Sequence, residues 1–222
     1  MKKVLVLAAA IALFATPALA EVIANSKHNL STSGAGTIVS TDYDEICVFC
    51  HTPHGADTSV SNAPLWNRNT TTVIAELYNS ATLDQVNSAP AVVSAAILAS
   101  DAPLCLSCHD GASLAGNLKN VTNAIGAQPA FGAANAVSGF TNLFDGANSM
   151  TNDHPIGMNY AAVQGLDTAG FNAPTGNLVG TLQIPGGVMW CSSCHDVHDN
   201  ANAPFLAMSN AGSAMCTTCH NK

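Results

Sequence analysis

Apolar residues are unevenly distributed along this chain of 222 residues, and their pattern predicts few regular elements. A continuous apolar run covers residues 4–15, and a stretch rich in Ala, Val, Ile and Leu predicts a helix over residues 88–100. Residues 110–190 are rich in Gly, Asn and Ala with scattered Pro, which is typical of turns and coil. Aromatic residues make up only 5% of the chain, too few for an ordinary core. We therefore expect a chain that is mostly coil with short helices.

The first twenty residues have the pattern of a secretory signal. Two lysines precede the apolar run, a proline follows it, and small residues lead up to Ala20, after which we expect cleavage. A membrane anchor is the alternative, but the run is shorter than the ~20 apolar residues that a span needs. No cysteine follows Ala20 directly, so no lipoprotein anchor is expected. The sequence predicts an exported protein without a membrane span, organised as one domain over residues 21–222.

Charged residues make up 9% of the chain, against about 25% in ordinary globular domains. Beyond residue 20, four basic residues stand against fourteen acidic ones. A chain of this kind has no basic patch that could neutralise phosphates, which argues against binding nucleic acid. Its surface must consist largely of Asn, Ser, Thr, Gly and Ala, and such a surface repels a second copy only weakly.

All eight cysteines lie in four pairs of one spacing, and a histidine follows every pair. In a helical turn, residues i and i+3 share a face, so two thiols can reach one edge of a porphyrin. Cys-x-x-Cys-His is the attachment motif of haem c, in which the histidine ligates the iron from the proximal side. Disulfides and structural zinc are the alternatives, but neither accounts for a histidine after each pair.

The sequence therefore predicts four covalently attached haem c groups. The predicted attachment residues are Cys47, Cys50, Cys105, Cys108, Cys191, Cys194, Cys216 and Cys219. The predicted proximal iron ligands are His51, His109, His195 and His220.

Four further histidines match the number of distal ligands that four irons need. These predicted distal ligands are His28, His54, His154 and His198. Ligation of some irons by methionine is the alternative, through Met150, Met158, Met189, Met208 or Met215. Because the histidine count closes without remainder, we expect two histidines on every iron. Such haems are low-spin, closed to substrate, and lower in potential than haems with one methionine ligand.

The order of these ligands predicts an internal repeat over residues 21–120 and 150–222. Each half contains a lone histidine, then Cys-x-x-Cys-His-x-x-His, then Asn-Ala-Pro, and finally a second Cys-x-x-Cys-His. If the halves are equivalent, the lone His154 reaches back to a haem of the first half. By the same rule, the lone His28 reaches a haem of a preceding second half, which belongs to another copy of the chain. The alternative is that His28 folds back onto its own chain.

The histidine three residues after each Cys-x-x-Cys-His motif is expected to serve a different haem. Three residues of backbone do not span a porphyrin, so His54 cannot reach the far side of the haem held by His51, and the same holds for His198. Two irons must then lie close together, as rapid electron hopping requires. The predicted fold is a multihaem cytochrome c organised by its haems, with the chain wrapped around a stack of four and unfolded without them.

The segments "SKHNLS", "CVFCHTPHG", "APLWNR", "NDHPIG" and "CTTCHNK" resemble multihaem c-type cytochromes that polymerise into extracellular filaments in metal-reducing bacteria, above all the tetrahaem members. The resemblance implies a filament with a continuous haem chain, in which a histidine near the N-terminus of one subunit ligates a haem of its neighbour. His28 is the matching position. Its surroundings, "NSKHNLSTSGAG", have few apolar residues and predict an extended arm. The iron held by His195 or His220 of the neighbour would take this ligand.

These observations predict an electron carrier rather than an enzyme. The predicted function is that of a subunit of an extracellular, electron-conducting filament, which exchanges electrons with other cytochromes and with external acceptors. A monomeric electron shuttle in the periplasm is one alternative. A multihaem reductase of small oxyanions is another, but it needs an iron with an open axial position.

Overall fold

The computed structural model describes residues 23–60, 63–70, 76–78, 100–122, 124–144 and 149–221. Most of these residues form turns, bends and irregular coil between short regular elements. The predicted fold class, mostly coil with short helices, is confirmed, whereas the stack of four haems stays a prediction. The predicted signal segment and the helix predicted over residues 88–100 lie outside the described residues, apart from Ser100.

The α-helices are all short, and none among the described residues is long and apolar enough to cross a lipid bilayer. They cover Ala102–His109 (α1), Tyr160–Leu166 (α2), Cys191–Cys194 (α3) and Ala214–Cys219 (α4). Single turns of 3₁₀-helix cover Cys47–Phe49, Gly139–Thr141, Pro185–Gly187 and Ala211–Ser213. The strands are Glu76–Leu77 (β1), Ser149–Met150 (β2), Leu178–Val179 (β3) and Leu182–Gln183 (β4).

The strands form two small ladders. β1 pairs with β2 in parallel, with Glu76 opposite Ser149, so this ladder joins segments that are distant in the sequence. β3 and β4 form an antiparallel hairpin in which Val179 pairs with Leu182. Gly180 begins the hairpin turn with a φ of 56°, a backbone conformation that glycine adopts without steric cost.

Each Cys-x-x-Cys segment forms a helical turn, as the motif spacing requires. The first lies in the 3₁₀ turn Cys47–Phe49, and the others lie in α1, α3 and α4. These helices depend on local signals at their ends. In α1, Pro103 lies in the first turn, where its missing N–H costs nothing, and the Ser100 hydroxyl accepts a hydrogen bond from the Ala102 N–H.

Among the described residues, the apolar core forms three small clusters, and each includes residues of a motif or its flank. The first contains Tyr43, Phe49 and Leu118. The second contains Ala102, Leu106, Phe144, Met150 and Trp190. The third contains Tyr160, Val179, Leu182, Ile184, Met189, Met215 and Cys219. These clusters are small for a chain of this length, and the expected dependence of the fold on haem stays a prediction.

Tyr43 provides a test of the first cluster. Its ring is fully buried, and its hydroxyl donates to the Ala127 carbonyl and accepts from the Thr122 N–H. Tyr43→Phe should lower the free energy of unfolding by about 1–3 kcal/mol, because both backbone groups lose their partner in a buried site. Denaturant unfolding of the haem-loaded protein, followed by circular dichroism, measures this loss.

The control is Phe140→Leu, since Phe140 is fully exposed and its replacement should change stability by less than about 0.5 kcal/mol. An unchanged unfolding midpoint for Tyr43→Phe would contradict the prediction.

Candidate haem sites

The local backbone fixes each motif histidine relative to its two cysteines. In three motifs the histidine N–H donates to the carbonyl of the first cysteine, at 2.8 Å for His51, 3.0 Å for His195 and 2.8 Å for His220. His109 is itself the last residue of α1. Both cysteines and the start of the histidine side chain therefore lie within one helical turn, which suits attachment to one porphyrin edge.

The first and third motifs make the same backbone contacts with the segment that follows Asn-Ala-Pro. The carbonyl of Cys50 accepts from the Asn67 N–H, and the carbonyl of Cys194 accepts from the Ala207 N–H, both at 2.9 Å. In both halves the residue after proline, Leu65 or Phe205, has a positive φ of 54° or 58°. The shared Asn-Ala-Pro sequence thus corresponds to a shared local structure.

Hydrogen bonds to backbone carbonyls fix the tautomer of three motif histidines. The Nδ1 atom of His51 lies 2.6 Å from the Pro64 carbonyl oxygen, and that of His195 lies 3.2 Å from the Pro204 carbonyl oxygen. His109 makes the corresponding contact of 2.7 Å with Thr141. A carbonyl can only accept, so Nδ1 must carry the proton and Nε2 is left with a free lone pair. This is the arrangement that orients an imidazole for metal ligation.

The structure brings motif histidines and predicted distal histidines together in pairs. The ring centroids are 6.2 Å apart for His28 and His109, 6.0 Å for His51 and His198, and 6.3 Å for His154 and His220. A metal–imidazole bond is about 2 Å long and the ring centroid lies about 1 Å further, so two axial imidazoles on one metal have centroids about 6 Å apart. The three pairs thus have the separation that an iron between two histidines requires.

The pairs fit haem because the porphyrin supplies the other four ligands of the iron. The described residues contain no group of three or more His, Cys, Asp or Glu side chains arranged to hold a metal ion directly. All eight cysteines are free of disulfides. Burial raises the pKa of the Cys50 thiol to about 12, so this thiol is neutral.

His28 lies within the chain rather than at the end of an extended arm. Its ring stacks on Phe205 at a centroid distance of 4.4 Å. Burial, with the nearby His109, His195 and His198, lowers the pKa of His28 to about 4, so the imidazole is neutral and able to ligate a metal.

The prediction that the segment around His28 forms an extended arm was wrong. Asn29 and Ser31 are buried, and the Asn29 side-chain oxygen accepts from the N–H and the hydroxyl of Ser31. The Asn29 amide nitrogen also donates to the Ala24 carbonyl. Polar side chains that bond to the nearby backbone hold this segment in a compact loop, although it has few apolar residues. The structure contains one chain, and the predicted contact of His28 with a neighbouring subunit stays a prediction.

The structure agrees with the predicted placement of His198 but not with that of His154. His154 was expected to reach the first half, but this was wrong, because its ring lies against His220 of its own half. His198 lies against His51 and not against the histidine of its own motif, in the direction that the limited backbone reach required. His54 and His195 are exposed, and no ring contact of this kind is found for either within the described residues.

Contacts between neighbouring motifs bring the candidate haem sites together. Asp101, just before α1, accepts a hydrogen bond from the N–H of Ser192 in α3 at 3.2 Å. A hydrogen bond that the Cys105 thiol donates to Cys191, together with burial, raises the pKa of the Cys105 thiol. The second and third motifs are therefore adjacent, while the pair of His51 and His198 joins the first to the third.

Sequence reasoning missed two kinds of residue. The carbonyls of Pro64 and Pro204 orient motif histidines, and the repeated Asn-Ala-Pro segment was the signal that could have located them. Arg68, which is completely buried, was counted only as a charge. Its position after the first Asn-Ala-Pro segment, among otherwise neutral residues, was the available signal.

Comparison with known proteins adds one match. Residues 185–222, which carry the third and fourth motifs, match the family model described as the doubled CXXCH motif. No curated protein matches the chain. Taken with the paired histidines, the doubled motif is typical of multihaem c-type cytochromes, and it supports covalent attachment of haem c.

Proposed function

We propose that this protein carries electrons through four haem c groups, each with two axial histidines. The observation that carries the proposal is the set of three histidine pairs, each of which joins a motif histidine to a histidine outside that motif at about the distance that spans an iron. Haem supplies reversible one-electron chemistry when it is bound. The chain supplies the axial ligands, the spacing and the burial that set its potential.

The three histidine pairs support a ligand assignment for three irons, and limited backbone reach supports one for the fourth. In this assignment, one iron is ligated by His109 and His28, a second by His51 and His198, and a third by His220 and His154. His54 cannot serve the haem held by His51, and the contact of His198 with His51 places the third motif beside the first. His54 is therefore the distal ligand of the iron held by His195, so the first and third motifs exchange their second histidines.

With both axial positions filled on every iron, no site is left for a substrate to bind the metal. This supports an electron carrier over a reductase of small oxyanions, which needs an open axial position. It also excludes methionine from the axial positions in this assignment. Met150, Met189 and Met215 are buried in the apolar clusters instead.

We further propose that copies assemble into an extracellular filament that conducts electrons to external acceptors. The resemblance of the ligand segments to filament-forming cytochromes supports this. The sparse charge of the chain permits close approach of copies, and the fully exposed ring of Phe140 offers an apolar contact. A monomeric periplasmic shuttle is the competing form, and electron micrographs of purified native protein distinguish the two, since a shuttle shows no filaments.

The assignment of His198 predicts a defined spectroscopic change. His198→Ala should leave four covalent haems but convert one of them from low-spin to high-spin, because the iron held by His51 loses its distal ligand. Mass spectrometry counts the haems, and electron paramagnetic resonance of the oxidised protein counts the high-spin fraction.

The neighbouring exposed residue gives the control for this variant. Val197→Ala should leave all four haems low-spin, since the Val197 side chain is exposed. Four low-spin haems in His198→Ala would show that His198 is not an axial ligand.

The role of His28 is tested by the His28→Ala variant, compared with unaltered protein that forms filaments. If His28 serves His109 of its own chain, His28→Ala yields one high-spin haem, attached through Cys105 and Cys108, and filaments still form. If His28 instead crosses to a neighbour, as the sequence suggested, the variant yields monomers. We expect the first result, because the structure places His28 against His109.

Electron microscopy and size-exclusion chromatography of His28→Ala measure the assembly state, and the spin state is measured on the same sample. Loss of filaments would overturn the assignment within one chain, and four low-spin haems would overturn any role of His28 as a ligand.

A further inference from the structure

Arg68 is a cation in an unusual environment. Its exposed fraction is 0%, and it is the bulkiest of the fully buried side chains in the described part of the protein. The other described cations are ordinary by comparison. Lys27 is exposed, and Lys119 lies 3.6 Å from a carboxylate oxygen of Asp57.

The charge of Arg68 has no acidic partner among the described residues. Its Nη2 atom donates to the Ser107 carbonyl at 3.3 Å, while Nε and Nη1 have no hydrogen-bond partner there. A buried cation that is neither paired nor fully hydrogen-bonded is costly.

Arg68 lies between the first two haem attachment sites. The residue before it, Asn67, donates its N–H to the carbonyl of Cys50. The carbonyl that Arg68 binds belongs to Ser107, the residue immediately before Cys108 in α1. The backbone beside Arg68 thus contacts Cys50, and its guanidinium contacts the residue before Cys108.

The second half has a neutral residue at the same place. Counted from Asn-Ala-Pro, Met208 corresponds to Arg68. The residue before it, Ala207, donates to the carbonyl of Cys194. The Met208 sulfur accepts a hydrogen bond from the Thr218 hydroxyl at 3.4 Å, and Thr218 immediately precedes Cys219, as Ser107 precedes Cys108.

Resting on the proposed function, we propose that Arg68 is a fixed positive charge that raises the reduction potentials of the haems attached through Cys50 and Cys108. The haems attached through Cys194 and Cys219, which have Met208 in its place, lack this effect. The protein is then electrically asymmetric along its length, and electrons reside preferentially in the first half.

The sign follows from electrostatics. Reduction of a ferric haem adds one negative charge, and a nearby buried cation stabilises the reduced form relative to the oxidised one. The low dielectric around a buried charge makes this interaction stronger than it would be at the surface, and salt screens it little. Arginine suits the role because it stays protonated in all ordinary conditions.

Two substitutions of Arg68 separate charge from structure. Arg68→Gln removes the charge but keeps an N–H donor for the Ser107 carbonyl, and Arg68→Lys keeps the charge. Spectropotentiometric titration of the haem-loaded protein should show two of the four midpoint potentials shifted downward in Arg68→Gln, and little shift in Arg68→Lys. Met208→Leu, a neutral change at the matching position, should leave all four potentials unchanged.

Haem counting by mass spectrometry and the low-spin absorption spectrum are recorded for every variant, so that loss of a haem is not mistaken for a shift of potential. Unchanged potentials in Arg68→Gln would overturn the inference. An equal shift in Arg68→Lys would also overturn it, because the effect would then follow from structure and not from charge.

A measurement on the unaltered protein keeps the test independent of variant folding. Paramagnetic NMR during a redox titration reports the oxidation state of each haem separately. The haems attached through Cys50 and Cys108 should be reduced before those attached through Cys194 and Cys219. The opposite order in a protein with four haems overturns this inference alone, whereas fewer than four covalent haems overturns the proposed function.

Discussion

Pairing of imidazole rings from distant parts of the chain is the interaction on which the rest of this structure depends. The apolar clusters are small and separate, and the strands are two residues long, so neither can hold the segments in place. Each histidine pair instead brings two segments to one proposed iron. A metal bond at such a point acts as a cross-link, and its free energy contributes to folding. In the proposed haem-loaded protein, ligation would therefore also determine the architecture.

The hydrogen bonds of the motif histidines support the same proposed ligation. The carbonyls of Pro64 and Pro204 fix Nδ1 of His51 and His195, and this leaves Nε2 to face the proposed iron. The local structure that presents these carbonyls is used twice, with a residue in the left-handed conformation after each proline. The repeated Asn-Ala-Pro sequence thus orients two of the predicted ligands in the same way.

The two halves differ at one residue that lies beside the second motif of each half, Arg68 in the first half and Met208 in the second. A buried guanidinium contacts the backbone beside Cys108, and a thioether contacts the side chain beside Cys219. Duplication of a unit followed by one charged substitution would convert a symmetric chain of carriers into a directional one. This would need no change in any ligand, since the potential of a haem responds to charge and burial as well as to axial chemistry.

The sequence by itself determined the candidate attachment sites, the number of histidines available to four irons, and the coil-rich fold class. These follow from local spacing and composition, because two thiols and an imidazole on one turn are recognisable without knowledge of the fold. Which histidines meet was decided only by the tertiary structure. His28 lies against His109, and His154 lies against His220, contrary to the order that the repeat suggested. The sequence singled out the position of Arg68 but not its burial, because burial depends on contacts with residues distant in the sequence, such as Ser107 in α1. Contacts of this kind arise from how coil segments close on one another, and no periodicity in the chain encodes them.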